Sequence, residues 1–326
     1  MHRESGLSRR GFIGATATGS AAVMAGPAVQ AAAAHELPRR ERENLVPRQN
    51  IGIQLYSLRD MAGADLPATF DMLEDIGYPE VELFQLHGRT AAALRALLDE
   101  RGLYAIGAHV GIDRWRNELE TVLDEAEALG MPYVGVPGIF PPPPPEVSEW
   151  RSLARELNRF GEAAADRGLR FYYHNHDFEF QRAGGQVLYD LMLDRTDPDL
   201  VFFELDLYWI ITAGRDPLDY LDRYDQSRWP LFHVKDRSAT PAPAPPGGNF
   251  ADLGDGIINF PRIFRELQNK HYHHFLVERD TQANPRRTAR VGYEYLVDVT
   301  GRRRRRQYAP REARGTDDAF ASRRRS

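Results

Sequence analysis

Residues 153–176 read LARELNRFGEAAADRGLRFYYHNH, and what this stretch contains, together with how often it recurs, decides the fold. Leu153, Leu157 and Phe160 share one face at helical spacing, Gly168 supplies a left-handed cap, and residues 170–174 form a short apolar strand that ends in histidine. The same unit appears three times upstream. Leu66, Phe70 and Leu73 lead through Gly77 to 80–84, Leu94, Leu97 and Leu98 through Gly102 to 104–109, and Leu119, Val122 and Leu129 through Gly130 to 133–136. Continuing the pattern predicts strands near 51–56, 80–84, 104–109, 133–137, 170–175, 200–207, 231–235 and 273–279, with a last helix at about 287–299. Eight strands alternating with helices predict an α/β fold, a closed (β/α)8 TIM barrel forming a single domain over 49–300, rather than an open doubly wound sheet. No G-x-G-x-x-G follows any strand, which argues against a dinucleotide-binding fold. The prolines at 141–145 and the Pro-, Ala- and Gly-rich stretch 238–256 interrupt the alternation. Both follow a strand, where covers of barrel active sites sit, although plain spacers share that composition.

The two ends differ from this middle. Ser8-Arg9-Arg10-Gly11-Phe12-Ile13, a mildly apolar stretch and an alanine run at 31–34 follow one another as in a twin-arginine export signal with a small-residue cleavage site. Residues 1–35 are therefore expected to be a signal and 36–48 a linker, which implies a periplasmic or extracellular protein. Residues 301–326 hold ten arginines, five of them consecutive, and no apolar periodicity, so a basic disordered tail is expected. No other apolar run approaches the roughly 20 residues of a membrane span, so stable membrane insertion is not expected. The net charge of -5 over 326 residues hides a middle with 25 basic against 40 acidic side chains, a field that repels phosphate backbones and disfavours nucleic acid as partner. The absence of cysteine leaves only nitrogen and oxygen ligands for any metal.

Polar pairs at i and i+2 close four successive strands, and residues two apart share a strand face. The pairs are His174 and His176, Glu204 and Asp206, His233 and Lys235, and Glu278 and Asp280; earlier strands add Gln54, Glu82 and His109. Each alone reads as a satisfied structural residue. Together, at one rim of a barrel, they point to a divalent cation held by imidazole and carboxylate, a donor set suited to Mn, Co, Fe or Zn better than to Ca. Lys235 is one of two lysines among 42 basic residues, and a compact ammonium that can lower its pKa on burial is not equivalent to a guanidinium. His271, His273 and His274 fall at the start of the eighth strand and are expected to be structural or exposed.

The segments IGIQLYS (51–57), HNHDFEF (174–180), ELDLYW (204–209), HVKD (233–236) and VERD (277–280) resemble the sugar phosphate isomerase/epimerase family, the xylose isomerase-like barrels that include inosose dehydratases and ketose epimerases. The resemblance covers about residues 49–300. It implies one divalent metal, Mn favoured among Mn, Co, Fe, Zn and Mg, held by one residue from each of the last four strands. On this sequence the ligands are His174, Asp206, His233 and Glu278, with His176 competing with His174 because many relatives carry Glu there. Asn259 stands where many relatives have Asp and can still cap the next helix.

The expected chemistry is abstraction of a proton next to a metal-polarised carbonyl of a sugar-like substrate. Glu82, His176 and Glu278 are candidates for acid or base. Lys235 and His109 are expected to hold substrate oxygens, Gln54 to bind substrate, and Tyr56 and Trp209 to offer rings to its apolar face. Return of the proton gives an isomerase or epimerase, the leading expectation; expulsion of a β-oxygen gives a lyase or dehydratase on a keto-sugar, keto-glycoside or inosose. The remaining classes are a non-catalytic sugar-binding protein and a metal-dependent nuclease on the related endonuclease barrel, the latter disfavoured by the acidic middle. The partner is thus a small carbohydrate or polyol, unphosphorylated in view of the expected export, and a homo-oligomer is compatible with the sequence.

Overall fold

The computed structural model describes residues 44–239, 249–281 and 284–299. The helix Leu66–Ile76 shows how the local code operates. Asp65 accepts a hydrogen bond from Ala68 N at 2.9 Å at its start, Phe70 and Leu73 are buried on one side, and Gly77 ends it at φ +104°, a conformation that a side chain would strain. The chain then enters the next strand.

Repetition of this unit gives eight parallel strands: β1 (Ile51–Gln54), β2 (Glu80–Leu83), β3 (Tyr104–Ala108), β4 (Tyr133–Val136), β5 (Arg170–His174), β6 (Val201–Asp206), β7 (Leu231–Val234) and β8 (His274–Val277). The main helices alternate with them: α1 (Leu66–Ile76), α2 (Ala91–Asp99), α3 (Leu119–Leu129), α4 (Val147–Asp166), α5 (Leu188–Arg195), α6 (Pro217–Arg223), α7 (Phe260–Arg265) and α8 (Pro285–Asp298). The strand order is β3-β2-β1-β8-β7-β6-β5-β4. The ring closes between β3 and β4 through one parallel bridge, His109 to Gly135, backed by Val110 N donating to Gly135 O at 2.8 Å. The predicted TIM barrel is the observed fold. Strand ends differ from expectation by a residue or two, as where the chain turns into a 3-10 helix over Leu55–Leu58.

Tyr133, Tyr172, Leu231 and Leu276 form an apolar cluster of their own inside the barrel, separate from the main core between sheet and helices. Gly135 makes that interior possible, since a Cβ there would overlap the carbonyl and ring of Tyr172. After β7, Asp236 organises the following loop. Its Oδ2 accepts from Gly254 N and Gly256 N, both at 3.0 Å, and its Oδ1 from Arg237 N at 2.8 Å and Ile258 N at 3.1 Å. Asn259 caps α7, accepting from Arg262 N at 3.2 Å. The expected export signal and basic tail lie outside the described residues. Among the described residues no helix is long and apolar enough to cross a membrane.

Candidate metal centre and active site

The strand ends bring His174, Asp206, His233 and Glu278 together, all buried, with one donor atom from each lying within 4.8 Å of the others. Register contributes: Asp206 pairs with His233 across β6 and β7, while His174 pairs with Glu204 across β5 and β6, two residues before Asp206 on the same face of β6. A second group, His109, His174, Glu204 and His233, overlaps the first. His176 belongs to neither group.

Hydrogen bonds choose between the two groups. His174 Nδ1 lies 3.0 Å from Glu204 Oε2, and a neutral imidazole has only one N–H, so donation there leaves the lone pair on Nε2, 3.9 Å from Asp206 Oδ2. His233 Nε2 lies 2.7 Å from Glu82 Oε2 and 3.1 Å from Glu204 Oε2, while its Nδ1 is 3.9 Å from Asp206 Oδ2 and 2.8 Å from Glu278 Oε2. Glu82 and Glu204 thus bind the far nitrogens of both imidazoles and turn the near ones toward Asp206 and Glu278, the arrangement of carboxylate–histidine–metal triads. Asp206 divides its oxygens accordingly. Oδ1 accepts from Trp209 N at 2.8 Å, whereas Oδ2 is buried with no hydrogen bond of regular geometry, Lys235 Nζ standing 3.0 Å away. An aimed, unsatisfied carboxylate oxygen among two imidazole nitrogens and a second carboxylate fits a divalent cation with mixed N and O ligation.

The charges in this cluster are set by burial and by one another. Burial, reinforced by His233, holds His174 neutral with its pKa pushed down to about 3. Burial works against a charged His233, but Glu204, Glu278 and Glu82 outweigh it and raise its pKa well above the ordinary value, so a proton stands on the nitrogen where a cation would displace it. Burial pushes Asp206 up to about 6. For Lys235, burial would lower the pKa, yet Asp206, Asp280 and Glu278 hold it well above the ordinary lysine value. Its Nζ stands 2.6 Å from Glu278 Oε2 and 2.7 Å from Asp280 Oδ1, so it is a fixed ammonium, not a base.

Three other candidates, Gln54, Glu82 and Trp209, stand around the cluster and not in the cavity wall. Gln54 and Glu82 are fully buried within the barrel. Gln54 Nε2 donates to Glu82 Oε2 at 2.6 Å, its Oε1 accepts from Tyr56 N at 2.9 Å, and Glu82 Oε1 accepts from Tyr172 Oη. With its oxygens committed to Gln54, Tyr172 and His233, Glu82 orients the cluster from behind, and Gln54 supports it, so neither is placed as a substrate-contacting group. Trp209 packs 5.3 Å from the His176 ring and 5.5 Å from Lys235 Nζ, backing the site instead of facing the cavity.

The cavity over this cluster has a volume of about 430 Å3, with His174, His176, Lys235, Glu278, Asp280 and His109 in its wall. His109 Nε2 is engaged with Glu204 Oε2 at 2.8 Å while the ring borders the cavity, and Tyr56 stands at its edge. His176 Nδ1 is buried without a partner, and burial, followed by His174 and Lys235, holds the imidazole neutral. Its backbone N donates to Glu179 Oε2 at 2.9 Å, and Tyr173 Oη donates to Glu179 Oε1 at 2.9 Å. Tyr172 and Glu179 are functional neighbours to which the sequence assigned no role, and Glu204, expected only as a member of a strand-end polar pair, binds the imidazoles from behind. Period-two alternation places Tyr172 and Glu204 on the inward face, but nothing local marks Glu179. Of the histidines near β8, His273 is buried with Nδ1 2.9 Å from Trp229 O, and His274 pairs with Glu80 Oε2 at 2.9 Å, both structural.

Residues 64–298 match the family model described as xylose isomerase-like TIM barrel. The chain is 28% identical over 168 residues to the inosose dehydratase of Clostridium beijerinckii, covering 47% of this chain and 55% of that one, and so spans about half the length of such relatives. It is 26% identical over 261 residues to the inosose dehydratase of Geobacillus kaustophilus, covering 69% and 84%. A sugar phosphate isomerase/epimerase from Parabacteroides distasonis shares the fold with a TM-score of 0.65 at 23% identity, over 77% of this chain and 94% of that one. So does the IOLI protein, solved with a zinc atom, with a TM-score of 0.62 at 13% identity, over 76% and 97%. The strand order, the polar rim and the length of the match agree, and the chain belongs to the xylose isomerase-like TIM barrel family.

Proposed function

We propose that the chain is a metal-dependent lyase that expels a β-oxygen from a keto-sugar-type substrate, an inosose or a keto-glycoside. The observation that carries this is the convergence of four buried donors beside a cavity that also presents a fixed ammonium and an unpaired neutral imidazole. The inosose dehydratases among its relatives support elimination over the isomerase or epimerase outcome, which uses the same residues. His174, Asp206, His233 and Glu278 would hold the divalent cation, whose Lewis acidity makes the C–H beside a substrate carbonyl acidic. Neutral His176 accepts the proton from that carbon. Lys235, charged at working pH, donates hydrogen bonds to substrate oxygen and stabilises the negative charge that develops there. The proton on His176 then passes to the departing oxygen, so the hydrogen lost from carbon appears in the released water or alcohol. Mn remains the proposed metal, and the mixed donor set also admits Co, Fe or Zn.

Incubating the holoenzyme with an inosose in deuterated water and following products by NMR separates the outcomes. Loss of water with a new conjugated double bond supports elimination; deuterium on carbon with no loss of water makes the enzyme an isomerase or epimerase. Metal analysis of Asp206→Ala and His233→Ala tests the ligand set, which fails if both keep full occupancy. Export by the twin-arginine route is part of the proposal. Replacing Arg9 and Arg10 together by lysine should retain the protein in the cytoplasm, and unchanged export would remove that part.

A further inference from the structure

We infer that the site accepts an apolar ring as the leaving group, so that the substrate class is a keto-glycoside of an aromatic or similarly apolar alcohol and not a free monosaccharide. This rests on the elimination proposed above and names what is expelled.

Two of the three large hydrophobic side chains exposed among the described residues border the same cavity: Tyr56 is 41% and Phe140 61% exposed. Both are held in place. Phe140 sits edge-on to His176 at 4.9 Å and to Phe178 at 5.6 Å, and the proline run follows it. Tyr56 sits edge-on to Phe84 at 5.5 Å, with the Arg59 guanidinium 4.3 Å from its ring centre. Fixed aromatic rings exposed at a cavity mouth suit an apolar ligand, whose contact would bury them favourably.

The cavity does not stop at these rings. A crevice of about 290 Å3 adjoins it, sharing Phe84, His109 and Gly111. Leu86, Val110 and Met131 give the crevice apolar walls, and the ion pair of Arg114 Nη1 with Glu125 Oε2, at 2.9 Å, stands at its polar edge. The site is therefore two-natured: His176, Lys235 and Asp280 on the side of the donor cluster suit a polyol, and the adjoining crevice suits a hydrocarbon face. A departing hydroxide needs no apolar room. A departing alkoxide with a ring does.

The step balances without an oxidant or reductant. The C–H bond beside the ketone breaks and its proton goes to His176; its electron pair forms the new carbon–carbon double bond. The adjacent C–O bond breaks with its pair remaining on oxygen, and the proton returns to that oxygen as the alcohol. The ketone must be supplied by an earlier alcohol-oxidising reaction.

Methyl and benzyl keto-glucosides test this with the holoenzyme, since the two alkoxides have nearly equal basicity and differ in the ring alone. The expected result is a kcat/KM for the benzyl substrate about tenfold or more above that for the methyl substrate, the order of a stacked ring. Phe140→Ala and Leu86→Glu should each bring that ratio close to one, whereas general damage to the fold lowers both substrates together and leaves the ratio. Equal kcat/KM in the native protein, a ratio unmoved by both variants, or preference for a glucosyl over a benzyl leaving group overturns the inference. If neither substrate releases alcohol, the elimination reading fails separately. Calorimetric binding then decides the subsite: tighter binding of the benzyl compound that Phe140→Ala removes supports it, and equal affinities reject it.

Discussion

Replacing Lys235 by methionine keeps the stem of the side chain and deletes a charge that stands 2.6, 2.7 and 3.0 Å from Glu278, Asp280 and Asp206. At an effective dielectric constant of about 20, one such contact is roughly 6 kcal/mol of Coulomb energy before desolvation is subtracted. Removing one partner of a buried ion pair costs about 3–5 kcal/mol net, because the remaining charges lose their compensation. In a barrel of this size each kcal/mol moves the melting temperature by about 2–4 °C, so the metal-free variant should melt about 6–20 °C below the native protein. The assay is a thermal melt in chelator, repeated with excess divalent cation. A cation stabilises by about 2.7 kcal/mol at 100 times its Kd, and the variant should recover more than the native protein gains, since the cation replaces the missing positive charge among the carboxylates. Lowering the pH toward 5 should also narrow the deficit, because protonation relieves the carboxylate repulsion. Identical melting of the two metal-free proteins at neutral pH would refute the assignment of Lys235 as a fixed counter-charge.

Metal affinity should fall as pH drops from 7.5 to 5.5, because the cation must displace the proton on His233 and, below about 6, a second one on Asp206; titration calorimetry at the two pH values checks the sign, and a flat profile rejects it. His176→Gln should lower kcat by about 10²–10⁴-fold while leaving metal content intact, as expected of a proton-transfer group outside the ligand cluster. Loss of metal in that variant would instead make His176 a ligand. Burial raises the Glu179 carboxyl to about 8, so the folded protein holds a proton there that the unfolded chain has already released above about pH 4.3. Stability from this group is therefore present at low pH and declines as pH rises through that window. Glu179→Gln should flatten this decline in denaturant unfolding between pH 5 and 8, and an unchanged slope counts against it.

The fold was legible because its signals are local and repeated. A glycine cap after an apolar helix face sets the period of the unit, and alternation along a strand commits His174, Asp206 and His233 to one side whatever the rest of the chain does. The family-matched motifs extended that reading to Glu278, just beyond β8. Other decisions depended on groups far apart in sequence. Whether His174 or His176 joins the donors followed from the partner that each ring finds: Glu204 turns His174 toward Asp206, while His176 lies among Phe140, Phe178 and Trp209. Lys235 carries its charge because two strands deliver three carboxylates to it, and composition alone allowed the opposite sign. Glu82 and Gln54 share the polar look of the site residues, yet barrel closure puts them behind the cluster, bonded to Tyr172 and His233. Local spacing determined which side chains face inward. Packing alone decided how deep each one lies, which neighbour holds its proton, and whether apolar space opens beside it, since those are properties of distances between strands that the chain order does not contain.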